Sequence, residues 1–505
     1  GNPALLEQMV RIYLDTGVLE VHEPSETDFA AEERWVIHGE RLSAVRLPLT
    51  VEDAVQARIA SLAPAERDLL ERAATLGGVF WLGALVAMER LASPPPSVWS
   101  AGDEPDVEGV RSILRDLEDR DYVLRLPDST FAGDEEYVFK HNLEREALVK
   151  LTPPATARRY HQTIAEYLAF RDHVKTNEEY LAMLARHREK AGSRAQAALA
   201  YIQAADVARS QYANAAAAEY YTKGLELLGD GVESDVDVRL RGLHHHGDVL
   251  ELLGRGDAAL QRFQAMLALA FRLGLYAKGG LAHSRIGRLH RERGELELSE
   301  QHLSAALALF REAGDERGVA SAQDDRGKLA WLKGDYPGAI AATREALELR
   351  RRLGDRRAIA LSLNNLGLVY QDCGKLEQAL DAFEQALDIR RDLGDLVGVS
   401  ISLNNLGTVA QDQRDDSTAL TLFLEALDVA RETGDRNRMA LIFTNIGETY
   451  SRLGDPKQAI VHLKQAEEIC DELGDKVGLA EALRGLGKAY LAQNELGRAK
   501  DAITR

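Results

Sequence analysis

The sequence predicts an all-α array of stacked helical hairpins, preceded by a smaller mixed α/β region. Three observations carry this expectation. Glycines and apolar residues recur with a period of 40 residues through the C-terminal half. The composition suits helices: Ala and Leu abound, and aromatics make up only 6%, so the β-branched and aromatic residues that strands prefer are scarce. The first 190 residues or so break the period, with Pro94-Pro95-Pro96, a Pro/Gly/Asp-rich stretch to Pro105, and tryptophans at 35, 81 and 99.

At 505 residues the chain exceeds a single hydrophobic core. Its 45% apolar and 28% charged residues lie in the globular range. With 62 basic and 81 acidic residues, the net charge is −19. Such a chain repels a phosphate backbone, which disfavours nucleic-acid partners and anionic membranes. Cys373 and Cys470 are the only cysteines and both fall inside the repeats. They make no disulfide framework, and they point to a reducing cytoplasm. No apolar run approaches the ~18 residues of a membrane span. The chain opens Gly1-Asn2-Pro3 without an initiator methionine, which predicts a piece of a longer protein.

The period is marked by Gly-Asp pairs at Gly314-Asp315, Gly354-Asp355, Gly394-Asp395, Gly434-Asp435 and Gly474-Asp475. A second glycine keeps the same register at 247, 287, 327, 367, 407, 447 and 487. Gly394 stands where a helix must stop, and Asp395 follows as the N-cap of the next. Leu363, Leu366, Val369 and Tyr370 recur at helical spacing, as do Ala379, Leu380, Phe383, Ala386 and Leu387, with Gly374 at the turn between them. Each unit is therefore two amphipathic helices that bury their apolar faces only by stacking on neighbours. Phe383 is expected to fill the gap between hairpins, beside the small residues Gly367, Ala379 and Ala386.

Leu366-Gly367 and Tyr370, followed by Ala379, Phe383 and Ala386, resemble the tetratricopeptide repeat. The usual unit has about 34 residues, so each helix here is roughly three residues, or ~4–5 Å, longer. Long units of this kind are similar to those of kinesin light chains, spindle-orientation adaptors and bacterial signalling ATPases. The family's closing proline is absent and Gly-Asp replaces it. Two further units centre on Gly247/Ala259/Phe263/Leu267 and on Ala205/Ala217/Tyr221/Leu225. Eight repeats are thus expected over 195–505, the last of them truncated.

The resemblance implies a concave groove lined by the first helices. Two residues before the repeat glycine stand Asn365, Asn405 and Asn445 in successive repeats. In similar peptide-binding arrays an asparagine there holds the ligand backbone, and its amide both donates and accepts. The alternative is a merely solvated polar ladder. Asn364 and Asn404 stand beside this ladder as further groove candidates; the alternative for them is a turn towards a helix interface. Arg285, Arg288 and Arg291 fall at the N-terminal side of the groove, Asp324 and Asp325 one repeat later, and Arg484 and Lys488 at the C-terminal side. Either basic cluster suits an acidic end of a ligand; the alternative is ordinary exposed charge.

The region before the array is divided into 1–50, a remnant of an ATPase lid and linker; 51–152, a winged-helix-like α+β domain; and 153–194, a helical linker. The opening GNPALLEQMVRIYLDTGVLE resembles the lid of STAND-type signalling ATPases. That resemblance implies that Pro3 packs on a nucleotide's adenine. LPLTVEDAVQARIASLAPAERDLLERAATLGGVF, from Leu47 to Phe80, resembles the linker and winged-helix start of the bacterial members, with helices over 51–62 and 65–76. A helix over 106–121, a strand from Tyr122 to Leu126, and a second from Glu136 to Lys140 complete a wing. Phe139-Lys140-His141 with Leu143 resembles an element whose histidine, in distant relatives, reads a nucleotide phosphate; the alternative for His141 is a structural or capping role. Acidic residues outnumber arginines on the helix over 106–121, which is wrong for a major-groove reader.

No phosphate-binding loop, kinase motif, nucleophile elbow or zinc-ligand pair occurs in the sequence. His244, His245 and His246 are adjacent on a helix, so their side chains diverge by ~100° and cannot close on one metal. The expectation is a non-catalytic regulatory, protein- or peptide-binding part of a bacterial multidomain signalling ATPase. Neither cofactor nor metal belongs to this stretch; ATP or ADP would bind elsewhere in the full-length protein, which ligand binding would drive to oligomerise. The rival readings are a passive scaffold and a small-molecule inducer sensor, as in the maltose-regulon activator that the array also resembles.

Overall fold

The structure, a computed structural model, describes residues 3–22, 34–42, 50–90, 105–171, 176–229 and 236–505. It divides into two compact units, Gly1–Arg255 and Gly256–Arg505.

In the first unit, α1 (Pro3–Asp15) leads into an antiparallel pair, β1 (Leu19–His22) and β2 (Arg34–Ile37), with Leu19 opposite Ile37. This hairpin lies in the stretch expected to be a lid remnant and linker. Its two runs, Leu-Glu-Val-His and Arg-Trp-Val-Ile, are too short to register against the helical pattern around them. After α2 (Gly39–Leu42) come α3 (Val51–Ala60) and α4 (Pro64–Leu76), close to the expected helices. Thr50 caps α3 by accepting from the Asp53 N–H at 3.0 Å, and Pro64 occupies the first turn of α4, where its missing N–H costs nothing.

β3 (Val79–Trp81), α5 (Leu82–Glu89), α6 (Pro105–Asp119), β4 (Val123–Arg125), β5 (Glu136–Phe139) and α7 (Asn142–Leu151) follow. The strands form one antiparallel sheet in the order β3-β5-β4, with Phe80 opposite Tyr137 and Leu124 opposite Val138. β4 and β5 fall on the two strands expected from Tyr122 to Leu126 and from Glu136 to Lys140; β3, which follows a glycine pair and runs straight into a helix, was not expected. Leu70, Phe80, Trp81, Leu85, Leu114, Tyr122 and Leu148 form the core here. Buried within it, Arg58 of α3 donates to Glu144 Oε1 at 2.5 Å and to the Arg120 carbonyl at 2.6 Å. Its guanidinium lies 4.0 Å from the Tyr122 ring centroid. A buried charge of this kind persists only when paired and hydrogen-bonded.

α8 (Pro154–Phe170) and α9 (Glu178–Lys190) form a helical pair whose Ile164, Leu168, Leu181 and Ala185 join the same core. α10 (Arg194–Ser210), α11 (Asn214–Leu228) and α12 (Val236–Leu252) complete the first unit.

The second unit is wholly helical among its described residues. It runs α13 (Gly256–Arg272), α14 (Tyr276–Glu292), α15 (Leu296–Glu312), α16 (Glu316–Leu332), α17 (Tyr336–Leu353), α18 (Arg356–Asp372), α19 (Leu376–Asp392), α20 (Leu396–Asp412), α21 (Asp416–Thr433), α22 (Arg436–Arg452), α23 (Pro456–Leu473), α24 (Lys476–Ala492) and α25 (Leu496–Thr504). Every expected punctuation mark has its role. Gly394 has φ +65°, and the Asp395 carboxylate accepts from the Gly398 N–H at 3.0 Å, capping α20. Phe383 is fully buried. A Cβ on Gly367 would stand 2.6 Å from its ring, so the glycine sets how closely α18 approaches α19.

Candidate ligand groove

The even-numbered helices α14 to α24 are the first members of their hairpins and pack side by side along one face of the second unit. Their polar residues form ladders from repeat to repeat. Asn405 of α20 donates Nδ2 to Asn364 Oδ1 of α18 at 3.0 Å, and Asn445 of α22 donates Nδ2 to Asn404 Oδ1 at 2.8 Å. Gln371 Nε2 donates to Thr408 Oγ1 at 3.2 Å and to Asp412 Oδ2 at 2.7 Å. Gln411 Nε2 donates to Thr449 Oγ1 at 2.7 Å.

These bonds separate the expected asparagines into two sets. Asn364 and Asn404 do not line the groove. They are buried between helices, because the side chain one residue earlier on the turn points at the neighbouring repeat. Each serves as the acceptor that fixes the next repeat's groove asparagine. Asn405 and Asn445 are half-buried, and among the described residues nothing donates to their Oδ1 atoms. One N–H orients each amide and the carbonyl stays available. Asn365 is 9% exposed, and its Nδ2 has no hydrogen-bond partner among the described residues. The residue one repeat earlier that would receive it is Asp324, which is held by Arg350 and Ser362 instead.

At the N-terminal side, Asp325 is also buried rather than presented to a ligand. Arg288 Nε donates to its Oδ2 at 2.7 Å, and Arg291 Nη1 lies 3.6 Å from its Oδ1. Arg288 Nη2 also donates to Ser321 Oγ at 3.2 Å. Half-buried Lys328 joins this cluster, and burial pulls its ammonium below the usual lysine range although Asp325 opposes the shift. Asp324 carries a carboxyl pushed up by burial and pulled back by Arg350. Arg285 is half-buried on α14. Here Arg288, Arg291 and Lys328 surround one carboxylate, leaving net positive charge.

At the C-terminal side, Arg484 donates to Glu448 Oε1 at 3.2 Å across two exposed side chains, a pair worth little in water. Lys488 is exposed. This second basic cluster is thus half-neutralised. His141 occupies the N-cap position of α7, half-buried. The Pro3 side chain lies outside the described residues.

Residues 280–352, 356–432 and 438–505 match the tetratricopeptide repeat family model. They form a tetratricopeptide repeat array. Among solved structures, a STAND signal-transduction ATPase with a tetratricopeptide repeat sensor from Pyrococcus horikoshii is 13% identical, with a TM-score of 0.51. The match covers 91% of this chain and 65% of that one. The apo quorum sensor NprR from B. thuringiensis is 16% identical over 65% of this chain and 94% of its own, with a TM-score of 0.46. BtubC from P. vanneervenii is 23% identical over 42% of this chain and 89% of its own, with a TM-score of 0.39. At these identities the likeness to the Pyrococcus ATPase is one of fold. No curated protein sequence matches the chain.

Several working residues of the tetratricopeptide groove escaped the sequence. Lys328 stands one period after Arg288, so the register alone would have found it. Arg350 and Arg390, one period apart, were less accessible. They sit on second helices yet reach across to the first ones. Arg390 Nη1 donates to Ser402 Oγ at 2.7 Å and to the Gly398 carbonyl at 3.0 Å. Burial holds its guanidinium below the usual arginine range. No helix of the described residues is long and apolar enough to cross a membrane.

Proposed function

We propose that this chain is the non-catalytic sensing part of a bacterial, cytoplasmic signalling ATPase, and that its tetratricopeptide array holds a protein or peptide in the groove of its first helices. The observation that carries the reading is the pair Asn405 and Asn445. Each amide is oriented by a bond to the preceding repeat, and each carbonyl oxygen is left without a donor among the described residues. Preoriented amides at one-repeat spacing suit the alternating N–H and C=O groups of an extended backbone, and prior ordering lowers the cost of binding. The cationic end at Arg288, Arg291 and Lys328 suits an acidic terminus or side chain of the ligand.

The wider reading draws support from the first unit. A sheet ordered β3-β5-β4 with α3, α4 and α6 fits a winged-helix-like domain. Arg111, Arg115 and Arg120 on or beside α6 are each bonded to a glutamate, which leaves little charge for DNA. The fold likeness to an ATPase with a repeat sensor extends over 91% of the chain, which favours the same order of parts. A ligand that bound the array better in one arrangement than another would shift the enzyme between states.

The test is capture from the lysate of the source organism by the full chain and by an Asn405→Ala/Asn445→Ala variant with an unchanged melting midpoint. A partner lost from the variant supports groove recognition. A partner held equally by both contradicts it and favours a passive scaffold that binds elsewhere.

A further inference from the structure

A cavity of about 320 Å³ lies in the first unit among α4, the Gly77-Gly78 pair, α7, α8 and α9. Its wall carries Arg145 from α7, His161 from α8, and Arg186, His187 and Lys190 from α9. No carboxylate lines it. In a chain with 81 acidic and 62 basic residues, an all-cationic wall is against the odds.

The partners of these groups are few. Arg145 Nε donates to Asn142 Oδ1 at 2.9 Å, and its Nη2 stands 4.0 Å from Glu146 Oε1. Arg186 and Lys190 have neither a hydrogen bond nor an ion pair among the described residues. The two imidazoles are buried with their Nδ1 atoms 2.9 Å apart, so one donates and the other accepts.

We propose that this cavity is a binding site for a dianionic phosphate group on a small molecule. Two arginines supply paired donors that match phosphate oxygens, and Lys190 adds a point charge. A metal ion fits poorly: the imidazoles are spent on each other, and three cations would repel it. Burial, with Lys190 and Arg186 nearby, holds both imidazoles neutral, at about 4 for His161 and about 3 for His187. The α4 residues of the wall, Ala74 to Leu76, bring no charge to oppose this. A bound dianion supplies the missing negative charge, so its binding draws a proton onto His161.

The site is independent of the array's groove and is tested separately. The full chain is titrated calorimetrically with inorganic phosphate at constant ionic strength, with acetate as the monoanion control. Saturable phosphate binding, weakened at least tenfold in Arg186→Ala/Lys190→Ala, is the expected result. Both residues are exposed, so this variant keeps its melting midpoint in the absence of phosphate. Sulfate, a dianion that does not titrate near neutrality, is expected to bind more tightly at pH 5.5 than at pH 7.5, and His161→Gln to abolish that dependence. Absence of saturable binding, equal affinity in the double variant, or acetate binding as well as phosphate would overturn the proposal. A pH dependence kept by His161→Gln would overturn the part assigned to His161.

Discussion

Phe383 shows how much of the array rests on single side chains. It is fully buried, and its ring meets the bare backbone of Gly367. Phe383→Ala should cost about 3–5 kcal/mol, the usual range for emptying a core site of this size. Chemical denaturation measures this, and an unchanged midpoint would contradict the placement. Phe383 was legible in the sequence because it recurs as Phe263 and Phe423 at multiples of one period. The asparagines were only half legible. Spacing identified Asn365, Asn405 and Asn445 as one column and set Asn364 and Asn404 beside it, with a turn towards a helix interface as their alternative, but it could not decide between groove and interface for them. One residue along a helix turns a side chain by ~100°, which is the difference between a groove and a helix interface.

At the scale of elements, the turns carry the period. Gly294, Gly334, Gly374 and Gly454 occupy the turn inside their hairpins with φ between +75° and +80°. The equivalent residue in the sixth repeat is Arg414, at φ +64°. A side chain there is strained by roughly 1–2 kcal/mol, partly offset by the lower entropy of the unfolded chain. Arg414→Gly should therefore raise stability by up to about 1 kcal/mol, read as a higher melting midpoint; a lower midpoint would show that Arg414 is held by something other than its turn.

Paired helices answer to pH as well. His161 and His187 link α8 to α9, and His283 and His302 link α14 to α15, each pair through Nδ1 atoms 2.9 Å apart. Burial lowers His161 and His283 to about 4 and His187 to about 3. Unfolded, each would titrate near 6.5, so the unfolded state binds protons first. Their contribution is whole above pH 6.5 and is lost as pH falls towards 4 and then 3. Melting midpoints should drop across that window, and His283→Gln should flatten the drop between pH 6.5 and 5. A drop of equal size in the variant would assign the acid sensitivity to carboxylates alone. Helix boundaries were read from sequence to within about two residues wherever a glycine, an aspartate or a proline marked them. β4 and β5 are no longer than β1 and β2; they were read because they flank a turn and lead into the Phe139-Lys140-His141 element, a mark that β1, β2 and β3 lack.

Over the whole molecule, the sequence foretold eight hairpins from residue 195 onwards; the described helices of that stretch are α10 to α25, of which the family model matches residues 280–352, 356–432 and 438–505. What spacing could not foretell was the division of labour along the groove. Its charge depends on which carboxylates are already spent. Asp324 is taken by Arg350, and Asp325 faces Arg288, Arg291 and Lys328. The arginine pairings join residues 26 to 37 positions apart on different helices, beyond the reach of a helical pattern, whereas Lys328 follows Asp325 by one turn of α16. They make the groove's N-terminal end cationic within an acidic chain, and the amides of Asn405 and Asn445, oriented by Asn364 and Asn404, lie further along the row of first helices.

The central claim is that a peptide lies along the first helices. Hydrogen exchange of the full chain, with and without a synthetic copy of the captured partner's binding segment, tests it most directly. Slowed exchange is expected in α16, α18, α20 and α22, with the second helices α17, α19 and α21 little changed. Protection confined to the second helices, or to the first unit, would contradict it.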